Sequence, residues 1–505
     1  MSADKKPEIA PLQPPTFDAD IMPPPGTGKP RTIVMCFDGT GEQFDADNSN
    51  VVKFFSLLQK DDHREQLVYY QAGIGTYRKG NHFTGPITSK ILKLVDEAVA
   101  WSLDGHVKEG YQFLMDKYQT GDKICIFGFS RGAYTARSLA GMIQKVGLLP
   151  SGNDEQVPFA YKMYKRTDSA GWKQSAAFKK AFSIDVDVEF VGVWDTVCSV
   201  GLTSRRLPFV SSNSAIRYFR HALSLDERRA KFKANQYNRP TAAEQKLGVQ
   251  PGEMPKSGVP TRSKFQLDTL IQKWRDRKTD CQIEEEEQAG EEDQFTKQDL
   301  LSLQTDVHEV WFAGCHGDVG GGSVPNESKH NLARIPLRWM IRECFKCNTG
   351  IRFHSSLLRQ IGLDPDSLYP YVKDRPPALY AIPSAPRPTH GRGDTDASAK
   401  TLVDQRLSEE EEDLQDALCP LYDQLVDAKL WWILEVIPLD QRYQRTEDDE
   451  WVEKPVINMG RGRTVPKGPV FNVHRSVKIR MEAKELSAGR YSPFARFETQ
   501  PTFVD

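Results

Sequence analysis

An α/β fold, with a parallel sheet covered by helices on both faces, is predicted by two observations. Short, mostly apolar runs recur at Thr32–Phe37, Leu67–Tyr70, Ile124–Phe127, Val186–Trp194 and Val307–Ala313, with helical spacing between them. A continuous apolar run of that length is a strand buried on both faces. Several of the runs also end in glycine-rich turns, as at Asp38-Gly-Thr-Gly41, Gly73-Ile-Gly75, Gly128-Phe-Ser-Arg-Gly132 and Cys315-His-Gly-Asp-Val-Gly-Gly-Gly322. Strands alternating with helices imply a parallel sheet, whose sites lie beyond the carboxyl ends of the strands.

Taken in order, residues 1–30 are rich in proline and read as a disordered arm. Gly26-Thr-Gly-Lys29 resembles a phosphate loop, but Pro30 stands where a hydroxyl residue is needed, and no strand precedes it. The first strand, Thr32–Phe37, leads into Asp38-Gly-Thr40. That tripeptide resembles the haloacid-dehalogenase phosphatases, which carry a nucleophilic aspartate two residues earlier. Here that position is Cys36, so the reading fails. Helices are predicted over 50–59, 87–101 and 106–118, the last with Val107, Tyr111, Leu114 and Tyr118 inward. After the elbow strand comes a helix ending near Gly147, then partly helical residues over 156–182. The mixed basic and apolar stretch from Ile216 to Phe232 reads as helix, which places His221 on a helix. Residues 239–300 are highly charged, with an acidic run at Glu284–Glu287, and read as a mobile insertion. A helix over 332–345 closes a domain spanning 31–345, and residues 346–505 read as a partly ordered C-terminal appendage. Within the appendage, Trp431-Trp432 is either core packing or a lipid-facing patch.

Composition narrows the class. The chain has 505 residues with 39% hydrophobic content, and its net charge of -2 argues against nucleic acid as a main partner. No run of about 18 apolar residues and no apolar segment after the first lysines are present, so neither a membrane span nor a secretory signal is expected. Of the eight cysteines, Cys36, Cys125 and Cys315 lie in apolar runs, and Cys344-Phe-Lys-Cys347 has no second pair to complete a zinc site. The set reads as reduced and cytoplasmic.

The chemistry centres on Gly128-Phe-Ser130-Arg-Gly132, which joins a buried strand to a helix carrying Ala133, Ala136, Leu139, Ala140 and Ile143 at helical spacing. A G-x-S-x-G turn between strand and helix is a nucleophile elbow, so the fold is α/β-hydrolase-like and Ser130 is the candidate nucleophile. A serine hydroxyl needs a base, and in this arrangement acid and base follow in the order Ser, acid, His. Among the later histidines only His316 lies directly beyond a buried strand in a glycine-rich loop, whereas His474 falls in the appendage. Asp195 closes a strand and is the favoured acid, with Asp318 as the alternative. The oxyanion donors are the N–H of Arg131 and one from Gly39 or Thr40. Arg131 is also a candidate anion clamp, or a partner for Asp38.

Several segments occur together and in order: Phe37-Asp-Gly-Thr-Gly41, Tyr70-Gln-Ala-Gly-Ile-Gly75-Thr, Gly128-Phe-Ser-Arg-Gly-Ala133, Gly192-Val-Trp-Asp-Thr-Val197, Leu225-Asp-Glu-Arg-Arg229 and Trp311-Phe-Ala-Gly-Cys-His-Gly-Asp-Val-Gly-Gly-Gly322. Through them the chain resembles an uncharacterised α/β-hydrolase family that includes phospholipase effectors of bacterial type VI secretion and many fungal proteins. The resemblance covers about residues 31–345. It implies a serine lipase or phospholipase-like hydrolase with no cofactor and no metal, acting on a lipid or other carboxylic ester, with possible peripheral membrane contact. The Pro-rich arm, the acidic insertion and the long tail depart from the secreted effectors. Two other readings stand beside it. One is a metal-assisted hydrolase using Asp38, Asp195 and Asp318 as oxygen ligands. The other is a catalytically silent scaffold that uses the appendage.

Overall fold

Thr32–Phe37 shows no polar alternation because both of its faces are covered. Ile33, Met35 and Phe37 enter one apolar cluster, while Val34 and Cys36 enter another on the opposite face. The computed structural model describes residues 20–24, 30–40, 42–73, 103–197, 207–238, 246–250, 253–256, 305–381, 407–444, 451–466, 470–484, 486 and 489–505. The helix expected over 87–101, nearly all of the Pro-rich arm and most of the 239–300 insertion lie outside the described residues.

The central sheet contains β1 (Thr32–Phe37), β2 (Gln66–Gln71), β3 (Lys123–Phe129), β4 (Val188–Trp194), β5 (Ile216–Ser224), β6 (Asp306–Phe312), β7 (Asn472–His474) and β8 (Thr502–Val504). These eight strands run in the order β8-β7-β6-β5-β4-β3-β1-β2, and every pairing is parallel. Helices α1 (Asn50–Leu57), α2 (Leu103–Lys117), α3 (Ser130–Val146), α4 (Val157–Lys165), α5 (Ser169–Phe182) and α6 (Arg334–Lys346) cover it. One face packs on α2 to α5 through Val107, Tyr111, Leu139 and Tyr164. The other packs on α1 and α6 through Phe54, Trp339 and Met340. This is the parallel sheet covered on both faces that the apolar runs predict, in the α/β-hydrolase-like architecture that the elbow implies. Register aligns the strand exits: Phe129 pairs with Trp194, Phe37 with Gly128, and Ser224 with Phe312. The residues that follow β1, β3, β4 and β6 therefore emerge at one edge.

Two expectations are corrected. Ile216–Ser224 is a strand and not a helix, and His221 lies on it. The polar residues that break its apolar run are satisfied inside the fold. Arg220 Nε donates to Glu343 at 2.6 Å and its Nη2 to Asp306 at 3.0 Å. His221 bonds Glu309 through Nδ1 at 2.8 Å and accepts the Thr196 N–H through Nε2 at 3.0 Å. Paired in this way, such groups enter a core without the penalty of an unmatched charge.

The second correction concerns residues 346–505. The sheet does not end with α6, because β7 and β8 extend it on the far side of β6. Phe471, Val473 and Val477 share a core cluster with Leu223, Leu225 and Trp311. Helix α7 (Glu409–Ala417) docks on α6 through ion pairs as well as through Leu414 and Ala417, which join the apolar cluster of that face. Arg338 reaches Asp413 and Asp416, each at 2.7 Å, and Arg334 reaches Glu412 at 2.9 Å. A following helix, α8 (Arg475–Glu482), donates from Arg480 to the α7 carbonyl of Ala417 at 2.6 Å. Among the described residues no helix is long and apolar enough to cross a membrane.

Candidate active site

The turn from β3 into α3 is held by close backbone contact. A Cβ on Gly128 would lie 2.6 Å from the Gly132 carbonyl oxygen. A Cβ on Gly132 would lie 2.2 Å from the Phe37 carbonyl and 2.3 Å from that of Asp38. Glycine at both positions lets the start of α3 press against the exit of β1, which carries Gly39 and Thr40 to the side of Ser130. Ser130 itself has φ 58°. Asp195, at the exit of β4, has φ 40°. Positive φ at a residue with a side chain is strained and gathers at functional positions.

His316 begins a short helical turn after β6, preceded by Gly314 with φ 114°. Its ring lies between Phe129, with centroids 4.7 Å apart, and Phe232, at 4.9 Å and edge-on. A Cβ on Gly320 would fall 1.8 Å from the Phe129 ring, so the glycine there gives that ring its seat. His316 Nε2 is 2.8 Å from Ser130 Oγ and Nδ1 is 2.5 Å from Asp195 Oδ2. Three strand ends thus bring the serine, imidazole and carboxylate into a continuous hydrogen-bonded line, and all three residues are buried. That is a serine-hydrolase arrangement, with the base within reach of the hydroxyl proton and a third group orienting the base.

Electrostatics agree with the geometry. Burial pushes His316 below the ordinary imidazole range, against the opposing pull of Asp195, so the ring is neutral and able to accept a proton. Burial alone would raise Asp195. The Arg463 charge and the hydrogen bonds from His316 and Arg463 outweigh it and hold the carboxyl well below the usual range. Asp318 does not reach the imidazole. Its Oδ2 accepts the Cys315 N–H at 2.9 Å and the Tyr422 N–H at 3.0 Å, and burial raises it to about 7.

Of the expected oxyanion donors, Gly39 is corrected. Its N–H donates to its neighbour Asp38 Oδ1 at 2.8 Å, so that donor is taken up locally. Thr40, with its buried hydroxyl, and the residue after the nucleophile, Arg131, stay as candidates. The Asp38 carboxylate also accepts from Ser49 at 2.7 Å and Tyr70 at 2.8 Å. Asp38, Asp195 and Asp318 therefore each have their own donors, and the metal reading built on them has no shared cradle. Among the described residues the ligand trio compact enough for an ion is His330, Glu412 and Asp416, whose carboxylates are already paired with Arg334 and Arg338. His474 stacks on Phe312 at 4.9 Å and bonds Ser476, so it packs and does not serve the site.

Sequence reading missed two groups. Glu227, in the Leu225–Arg229 segment, accepts the His316 N–H at 3.3 Å and pairs with Arg229 at 2.8 Å. Arg229 lies 3.5 Å over the Phe232 ring, so this segment builds the wall beside the imidazole. Arg463 grips both oxygens of Asp195, at 2.5 and 2.8 Å. Its only sequence signal is an arginine in a Gly/Arg/Pro loop, which ordinarily reads as surface.

Residues 31–343 match the family described as the catalytic domain of Tle1-like phospholipase effectors of the type VI secretion system. An uncharacterized protein of Saccharomyces cerevisiae is 29% identical over 584 aligned positions, covering 96% of this chain and 83% of that protein. A crystal structure of an uncharacterized protein from Pseudomonas aeruginosa is 17% identical with a TM-score of 0.33, covering 68% of this chain and 49% of its own. The Tle1 effector bound to the VgrG spike of the type VI secretion system is 16% identical with a TM-score of 0.27, covering 60% and 52%. The chain spans about half the length of these solved structures.

Proposed function

Because this chain belongs to the Tle1-like phospholipase-effector catalytic-domain family, we propose that it is a serine hydrolase that cleaves the acyl ester of a lipid, with phospholipid as the first substrate class to test. The observation that carries the reading is the Ser130–His316–Asp195 line, at 2.8 and 2.5 Å. Ser130 Oγ attacks the ester carbonyl carbon while its proton passes to His316 Nε2. The tetrahedral oxyanion is met by the N–H groups of Arg131 and Thr40 at the start of α3 and the exit of β1. The alcohol then leaves with the proton from His316, giving an acyl-serine. Water, deprotonated by the same imidazole, releases the fatty acid and restores Ser130. Asp195 stays ionised and stabilises the imidazolium of each step. The free thiols at Cys36, Cys125, Cys315, Cys344 and Cys347 fit a reducing, cytoplasmic setting.

The lipid half of the proposal is supported by the surface beside the site. Trp431 is buried edge-on against Phe232, which itself packs on His316. The neighbouring Trp432, Ile433, Val436 and Ile437 are 38%, 55%, 54% and 41% exposed. The two tryptophans thus divide the roles, one in the core and one at the surface. An exposed apolar group next to a catalytic line suits a substrate delivered from a lipid interface. Ile433→Asp with Val436→Asp should lower fatty acid release from phosphatidylcholine vesicles by about tenfold or more while leaving p-nitrophenyl butyrate hydrolysis unchanged. Equal losses on both substrates would count against an interfacial role. Trp431→Ala should instead cost about 3–5 kcal/mol of stability, read by chemical denaturation, because it empties a packed site. Hydrolysis of the soluble ester without any fatty acid release from vesicles would remove the lipid substrate and leave the serine hydrolase.

A further inference from the structure

Arg463 lies beyond the segment that matches the catalytic-domain family, which ends at residue 343. Its guanidinium is buried, and each of its N–H groups has an acceptor. Nε donates to the Phe232 carbonyl at 3.0 Å. Nη1 donates to Asp195 Oδ1 at 2.5 Å and to the Ser224 carbonyl at 3.1 Å. Nη2 donates to Asp195 Oδ2 at 2.8 Å and to Phe232 again at 2.5 Å. A planar fork matched to both oxygens of one carboxylate fixes the rotation of that carboxylate, which a point charge would not. Asp195 Oδ1 has a further donor in the Ser224 N–H at 3.0 Å, and Oδ2 faces His316 Nδ1.

The loop that carries Arg463 is itself fixed. Buried Glu435 accepts the Ala230 N–H at 2.6 Å, the Asn458 side-chain amide at 2.5 Å and the Gly460 N–H at 2.9 Å. A Cβ on Gly462 would lie 1.9 Å from the Phe494 carbonyl, and the Arg496 N–H donates to the Arg463 carbonyl at 2.7 Å. Carboxylate, guanidinium and loop therefore form one built unit.

We propose that Arg463 is the positioning residue of the triad, holding Asp195 ionised and aimed at His316, so that the C-terminal segment completes the active site. This rests on the serine-hydrolase reading above. Without Arg463, a fully buried carboxylate would face a neutral imidazole with no counter-charge. Asp195 and His316 would then share a proton up to a higher pH, and the base would be lost at pH values where the native enzyme works. The other charges facing the pair are already matched, Glu227 by Arg229 and His221 by Glu309. Lys233 is bonded to Asn458 at 2.7 Å, beside Glu435.

The test uses the full chain and a fluorophosphonate probe, with labelling rates measured from pH 5 to 9 and circular dichroism as the fold control. Arg463→Met should label about 10²–10³-fold more slowly at pH 7, and its acidic limb should move up by about one unit or more, since removal of an adjacent opposite charge shifts a carboxyl pair by that much. Arg463→Lys keeps the charge without the fork. Its limb should return to the native position, with a rate about tenfold below native. A merely structural arginine would not move the limb. A folded Arg463→Met with native rate and native limb overturns the proposal. If that variant does not fold, native labelling by Arg463→Lys overturns it. Labelling that persists in Ser130→Ala overturns the serine reading itself, whereas labelling lost there but kept in Arg463→Met overturns only the role of Arg463.

Discussion

Ser130→Ala is expected to abolish fluorophosphonate labelling and to lower ester hydrolysis by roughly 10⁴–10⁶ in kcat, with the fold intact. The fold should survive because alanine meets the same φ 58° strain as serine and adds no volume. The hydroxyl it removes has His316 Nε2 as its partner at 2.8 Å. Losing that bond leaves one imidazole nitrogen unpaired in a buried site, at a cost on the order of 1–3 kcal/mol. Chemistry loses far more, since His316 then has no proton to accept and the carbonyl no nucleophile. The measurement is initial rate on p-nitrophenyl butyrate together with the thermal midpoint. A folded variant that keeps half the native rate would sink the assignment.

Asp195→Asn should lower kcat by about 10⁴, as a wrong hydrogen-bond partner does in a triad of this kind. Asp195 accepts from four donors: Ser224 N–H, His316 Nδ1–H and two N–H groups of Arg463. An amide offers one oxygen for these and turns an NH2 toward either His316 or Arg463. In the first case the imidazole takes the wrong tautomer, and in the second a buried guanidinium meets a donor. The variant should also lose stability, because half of a buried ion pair is left unmatched. Asp318→Asn should stay within a few-fold of native kcat. Its carboxylate bonds the backbone N–H groups of Cys315 and Tyr422 and the Ser323 side chain, none of which is a triad group, and an amide oxygen can still accept from both N–H groups. The two variants are compared by kcat near pH 8 at matched folded fraction. A larger kcat loss in Asp318→Asn would exchange the roles of the two aspartates.

The parts of this site that are legible in the sequence are those written in neighbouring residues. Ile124–Phe127, the two glycines and the helical spacing after Ser130 are a local pattern, and the structure turns them into β3, the elbow and α3. His316 is legible for the same reason, as a histidine in a glycine turn directly after an apolar run. Between Asp195 and Asp318, however, both stand at strand exits in sequence, and only distance separates them. His316 bonds the one, while Cys315 and Tyr422 take up the other.

Where local pattern misleads, the cause is a polar group whose partner lies far along the chain. Arg220 and His221 make Ile216–Ser224 look like a helix with a basic face, yet Glu343 and Glu309 admit both to the interior of a strand. The acidic helix Glu409–Ala417 falls in the stretch expected to be only a partly ordered appendage and is held against α6 by Arg334 and Arg338. Arg463 looks like a loop arginine and is buried against a carboxylate 268 residues away. The sequence by itself determined the strands β1, β2, β3, β4 and β6, the elbow and the order of serine, acid and histidine, because apolar periodicity and turn chemistry act over a few residues. Tertiary structure decided which aspartate meets the imidazole, where the sheet ends and which arginine completes the site, because a charge is buried or exposed according to a partner that only the folded chain brings near.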